Sequence, residues 1–121
     1  MTLSLNPLYD VLDQTWPAAR LIQQDCWCLR VGMGGGKRVS AATLEGSLHS
    51  GTIERAAKSM RDMGQPSLFM IRNDQETLDT ELASRGYDIC DPSHIYATPV
   101  GKLTGQKPPR VSMFNIWEPL E

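Results

Sequence analysis

Cys26-Trp27-Cys28-Leu29-Arg30-Val31-Gly32-Met33-Gly34-Gly35-Gly36-Lys37-Arg38-Val39-Ser40-Ala41 is the stretch on which the reading of the fold turns. Its two ends are rich in residues that suit a pleated, half-buried surface, and its middle is mostly glycine. A flexible glycine segment between two β-like runs predicts an antiparallel hairpin. Cys26–Val31 is then one strand, Lys37–Ala41 its partner, and Gly32–Gly36 the turn. Gly34-Gly35-Gly36-Lys37 also invites comparison with a phosphate loop. That loop needs a glycine five residues before its Gly-Lys pair and Ser or Thr after it. Val31 and Arg38 stand at those places, so the segment reads as a turn.

Working outward, Asn6-Pro7 opens a helix, because Asn caps well and Pro is tolerated in the first turn. Leu8, Val11, Leu12 and Trp16 fall on one face of it, and Pro17 ends it. Downstream, Glu45 to Gly51 is a loop. A second helix runs from Thr52 to Met63 with Ile53, Ala56, Ala57 and Met60 on one face, and Gly64 is its left-handed stop. Ser67–Ile71 fits a short buried strand. Asn73 and Glu76 have capping-box spacing and open a third helix with Leu78 and Leu82 as its apolar stripe. Gly86 ends it, Tyr87–Cys90 begins another strand, and His94–Val100 continues that strand or pairs beside it. The expected class is α/β: a mixed, largely antiparallel central sheet with helices on its faces. Residues 1–103 form the domain, and residues 104–121, with Pro108-Pro109, form an extended proline-rich segment.

The chain of 121 residues suits one domain, and its net charge of −2 comes without a block of like charge. Nucleic-acid and membrane-surface partners are therefore not expected. MTLSLNPLYD lacks the basic run and apolar core of a secretion signal, and no apolar run approaches a membrane span. Three cysteines suggest no disulfide framework. The expected compartment is the cytoplasm.

Two further stretches carry a resemblance. Gly64-Gln65-Pro66-Ser67-Leu68-Phe69-Met70-Ile71, followed by Leu78-Asp79-x-x-Leu82-x-x-Arg85-Gly86-Tyr87, resembles the second half of a GNAT-type N-acetyltransferase domain. Trp27-x-Leu29-Arg30, the glycine turn and Lys37-Arg38-Val39-Ser40-Ala41 are similar to the hairpin in the N-terminal halves of two-part GNAT proteins. The likeness spans roughly residues 8–103. It implies a GNAT-like fold and a place in an acetyltransferase. A working GNAT domain opens the helix after its hairpin strands with Arg or Gln, two residues, Gly, one residue, then Gly or Ala. Backbone N–H groups there hold the coenzyme A pyrophosphate. The matching stretch here, Leu44 to Thr52, has glycines but no Arg or Gln at that offset. The resemblance therefore implies a half that binds no cofactor by itself. It would scaffold, or form the acceptor-side wall for, a C-terminal half that binds acetyl-CoA, on the same or a separate chain. The alternative is a stand-alone dimeric module for small ligands or proteins. Whether the chain is itself an enzyme stays open.

Arg30, Arg38 and Phe69 are the candidate substrate or interface residues. The two arginines are solvated strand residues or polar contacts to the second half or a substrate, and Phe69 lines a pocket or packs in the core. No catalytic residue is assigned. Cys26, Cys28, Cys90, His49 and His94 do not have the turn-based spacing of a structural zinc site, so no metal is expected. Cys26 and Cys28, two apart on a strand, would share a face. Phe114, Ile116 and Trp117 pack back on the domain or form a docking segment.

Overall fold

Trp27 and Leu29 alternate with Cys28 and Arg30 along one strand, and that alternation gives the sheet two unlike faces. The computed structural model describes residues 5–102, 104 and 105. Its elements are α1 (Leu5–Thr15), β1 (Arg20–Gln24), β2 (Trp27–Val31), β3 (Ala42–Leu44), α2 (Thr52–Asp62), β4 (Phe69–Met70) and α3 (Glu76–Ser84), with a 3-10 turn at Val100–Lys102. The four strands lie in the order β1-β2-β3-β4. The first two pairings are antiparallel and the last is parallel. The molecule is therefore α/β with a mixed, mainly antiparallel sheet.

Trp27, Leu29, Ala42 and Leu44 meet Ile53, Ala56 and Met60 of α2 and Leu78 and Leu82 of α3 in one apolar cluster. The helical spacing expected of α2 holds: Ile53, Ala56, Ala57 and Met60 are all buried. Burying an Ile or Met side chain is worth about 1.5–3 kcal/mol, so this stripe anchors α2. Gly64, at φ +76°, is the left-handed stop expected after α2, and Gly86, at φ +84°, ends α3 in the same region.

The hairpin is not where the glycines suggested. Lys37–Ala41 is no strand. Ser40 N donates to Lys37 O at 3.1 Å, Gly35 N to Gly32 O at 2.9 Å, and Ser40 Oγ to Gly36 O at 2.8 Å, which coils the segment on itself. A Cβ at Gly32 would stand 2.0 Å from Ser40 Oγ, so glycine there permits a close approach rather than a reversal. The chain rejoins the sheet only at Ala42, with Trp27 opposite Leu44. The tight hairpin lies upstream, where β1 and β2 turn through Asp25 and Cys26. Sequence reading assigned no strand to Arg20-Leu21-Ile22-Gln23-Gln24. It is a polar edge strand with Leu21 half exposed, so its alternation is faint.

Other boundaries shift for identifiable reasons. Asn6 lies inside α1 rather than capping it. Val11 and Trp16 of its expected apolar face are half exposed. The strand expected over Ser67–Ile71 shrinks to Phe69–Met70. Asn73 caps nothing: α3 begins after Gln75, whose Oε1 accepts the Arg72 N–H at 2.9 Å. Neither Tyr87–Cys90 nor His94–Val100 is a strand, and every described residue from Asp88 to Gly105 is exposed, with no sheet neighbour to pair with. The chain divides into one compact unit through Asp88 and a second from Ile89 onward. Phe114, Ile116 and Trp117 lie outside the described residues, as does nearly all of the proline-rich segment.

Candidate functional site

The β1–β2 turn, the loop after β3 and the first turn of α2 meet around an open cleft of about 510 Å³, lined by Asp25, Cys26, Glu45, Ser47, His49, Thr52 and Arg55. Its walls follow from local sequence. Asp25 takes φ +54°, a conformation that Asp tolerates in a tight turn, and places its carboxylate 3.0 Å from Arg55 Nε. Gly46 and Gly51, at φ +108° and +76°, let the loop reverse twice within a few residues. Thr52 Oγ1 donates to His49 O at 2.7 Å and lies 3.5 Å from Cys26 Sγ. A nucleophilic Cys–His pair would need an imidazole at that thiol, and a hydroxyl stands there instead. Two carboxylates, Asp25 and Glu45, line the cleft, the first paired with Arg55 and the second with Arg72.

The other face of the sheet is polar. Arg30, 2% exposed, meets Asp13 of α1 through two bonds, Nε to Oδ1 at 3.2 Å and Nη2 to Oδ2 at 2.9 Å. Its Nη1 donates to Ala41 O at 3.1 Å and to Thr43 Oγ1 at 2.9 Å. Thr43 Oγ1 donates onward to Glu45 Oε1 at 2.9 Å, and Arg72 Nη1 reaches the same oxygen at 3.3 Å. The Arg72 guanidinium sits 4.6 Å from the centre of the Tyr9 ring. Burial pushes the Cys28 thiol above its ordinary pKa, with the Arg30 charge acting in the opposite direction.

The three residues singled out in the sequence do not converge on one site. Arg30 is neither solvated nor in the cleft, because it is the buried anchor of α1. Arg38 is on an exposed loop, its guanidinium 5.5 Å from the centre of the Trp16 ring. Phe69 stacks edge-on between Trp27 and Tyr87, at centroid distances of 5.0 and 5.4 Å, so it belongs to the core. Cys26 and Cys28 do not share a face. Cys26 sits in the turn and joins the apolar cluster, whereas Cys28 lies among Arg30, Glu45 and Asp13. Among the described residues, no three His, Cys, Asp or Glu side chains converge as metal ligands would.

Sequence reasoning missed Asp13, Asp25, Arg55 and Arg72. Tyr9 and Asp13, one helical turn apart, formed a polar stripe that could have been matched to the lone arginine of an otherwise apolar strand. No helix among the described residues is long and apolar enough to cross a membrane. No family model matches the chain, and neither a curated protein nor a solved structure matches it.

Proposed function

We propose that the chain is a GNAT-like half-domain that does not itself bind coenzyme, and that it serves as a scaffold or acceptor-side wall for an acetyl-CoA-binding partner half. Antiparallel strands, a loop opening a helix and then a parallel strand support the reading, although Lys37–Ala41 and Tyr87–Cys90, strands in the resemblance, are not strands here. The observation that carries the reading is the pair of carboxylates, Asp25 and Glu45, at the opening of α2. In the family, that opening receives the coenzyme pyrophosphate. A like charge at about 6 Å costs on the order of 3 kcal/mol at an effective dielectric of about 20. Asp25 and Glu45 already pair with Arg55 and Arg72, so a diphosphate here would have to displace a carboxylate to reach a guanidinium, and the Arg/Gln-led glycine pattern is also missing.

Isothermal titration with acetyl-CoA tests this. The expected outcome is no saturable heat below about 1 mM, the range where binding is worth about 4 kcal/mol. A stoichiometric micromolar isotherm would overturn the reading and make the chain a complete enzyme with an unusual loop. Cytoplasmic residence, without nucleic-acid or membrane partners, belongs to the same proposal and rests on the mild, unblocked charge.

One observation favours the stand-alone dimeric module as a second reading. Among the described residues, β1 is an edge strand with an unpaired outer side and a half-exposed Leu21. A mass measurement in solution at micromolar concentration separates the two readings, a dimer supporting the second.

A further inference from the structure

Among the described residues, α1 contributes none to the buried apolar core, and its Leu8 and Leu12 are only half-buried. A surface helix ordinarily docks by burying an apolar stripe. This one is fastened by Asp13 on Arg30, by the Tyr9 hydroxyl accepting the Asn73 N–H at 3.0 Å, and by the Tyr9 and Trp16 rings against Arg72 and Arg38. The Arg30 guanidinium, by contrast, does not depend on α1 for its position. Its Nη1 is fixed from the sheet side by Ala41 O and Thr43 Oγ1. That leaves Nε and Nη2 pointing out as a preorganised fork, the geometry with which arginine holds any planar carboxylate. Asp13 occupies the fork with both oxygens while remaining 37% exposed. Beside it, Arg72 carries a buried Nε with no hydrogen-bond partner among the described residues.

We propose that the Arg30 fork is a binding site for a small carboxylate, that Asp13 is its resident competitor, and that α1 is a displaceable cover. The charges on this face set the coupling. With Asp13 in place, Arg30 and Arg72 are balanced by Asp13 and Glu45. With Asp13 withdrawn and nothing in its stead, Nε and Nη2 exchange two charge-assisted bonds for water, which disfavours opening. A monocarboxylate restores the balance, so α1 opens when such an anion replaces Asp13 and closes when it leaves. The site lies on the opposite face from the core and is independent of any acetyltransferase role.

Hydrogen exchange on the intact chain tests this, in sodium formate against sodium chloride at equal ionic strength and neutral pH. Formate is expected to speed exchange of the α1 amides at least about fivefold while those of β2 and α2 keep their rates. Equal α1 exchange in the two salts, or exchange of α1 only together with β2, overturns the proposal. The Asp13→Ala chain gives a second readout that needs only its melting temperature. Formate should raise it saturably and chloride should not, and identical shifts in the two salts would refute a carboxylate-specific fork.

Discussion

Arg30 and Asp13 make one ion pair but differ sharply in burial, and that difference predicts unequal losses. Asp13→Ala strands a guanidinium that is 2% exposed, whereas Arg30→Met strands a carboxylate that is 37% exposed and can rehydrate. Removing one partner of a buried pair costs about 3–5 kcal/mol when the other stays buried. Asp13→Ala should lose that much, and Arg30→Met only about 1–3 kcal/mol for its hydrogen bonds; urea denaturation of both variants measures the order. The thiols divide in the same way. Cys90 is exposed, and Cys26 and Cys28 are buried. A thiol-specific reagent should therefore modify one cysteine quickly and the other two only after denaturation. Cys28 also carries a pH signature. Its folded-state pKa is raised by burial, so as pH rises the unfolded chain gives up the proton first while the folded chain keeps it. The folded state then binds more protons, and stability falls with rising pH above about 8.5. Cys28→Ala should remove that part of the decline, which urea midpoints collected from pH 7 to 10 would show.

Between elements, one amide side chain does the work of a missing strand partner. β2 runs on past the end of β3, and beyond that pairing Gln65 supplies both bonds: its Oε1 accepts the Gly32 N–H at 2.8 Å, and its Nε2 donates to Arg30 O at 2.8 Å. Gln65→Ala would leave a partly buried N–H and C=O unpaired, a loss of about 1–3 kcal/mol. Gln65→Glu should retain the Gly32 contact and lose the other, falling between wild type and Ala in thermal midpoint. Gly32 is held by the same corner. It adopts no left-handed φ, but an added Cβ would meet Ser40 Oγ at 2.0 Å and Val39 O at 3.0 Å. Gly32→Ala should thus destabilise by overpacking, about 1–3 kcal/mol, whereas Ala at an exposed position such as Lys58 should be nearly neutral.

The whole chain is uneven in how firmly it is organised. Among the described residues, every buried apolar residue falls between Cys26 and Leu82, and those from Asp88 to Gly105 are exposed throughout. A chain ending at Asp88 should therefore keep its far-ultraviolet dichroism and melt within a few degrees of the full chain. Among the described residues, chymotrypsin should cut first at Tyr96, which is 90% exposed, well before any site within the sheet. Loss of cooperative melting in the shortened chain would mean that residues beyond 88 contribute to the core.

The faces of α2 and α3 and the two glycine stops followed local rules, whereas the caps expected at Asn6 and Asn73 did not form. Ile53, Ala56, Ala57 and Met60 declare a helix face through a 3.6-residue period, and Gly64 and Gly86 declare stops because left-handed backbone suits glycine. Leu78 and Leu82 likewise gave the buried side of α3. Strand pairing was not legible, because an edge strand such as Arg20–Gln24 takes its identity from a neighbour, and a coiled loop such as residues 37–41 has the composition of a strand. The site was less legible still. Arg30 in a β-like run reads as a solvated residue until α1 brings Asp13 over it, and the cleft exists only where three separate segments meet at the start of α2. Helix faces and glycine stops are properties of a few adjacent residues, so sequence alone determined them. The register of the sheet, the burial of Arg30 and the meeting of Asp25 with Arg55 depend on contacts across 10 to 30 residues, so only the tertiary structure decided them.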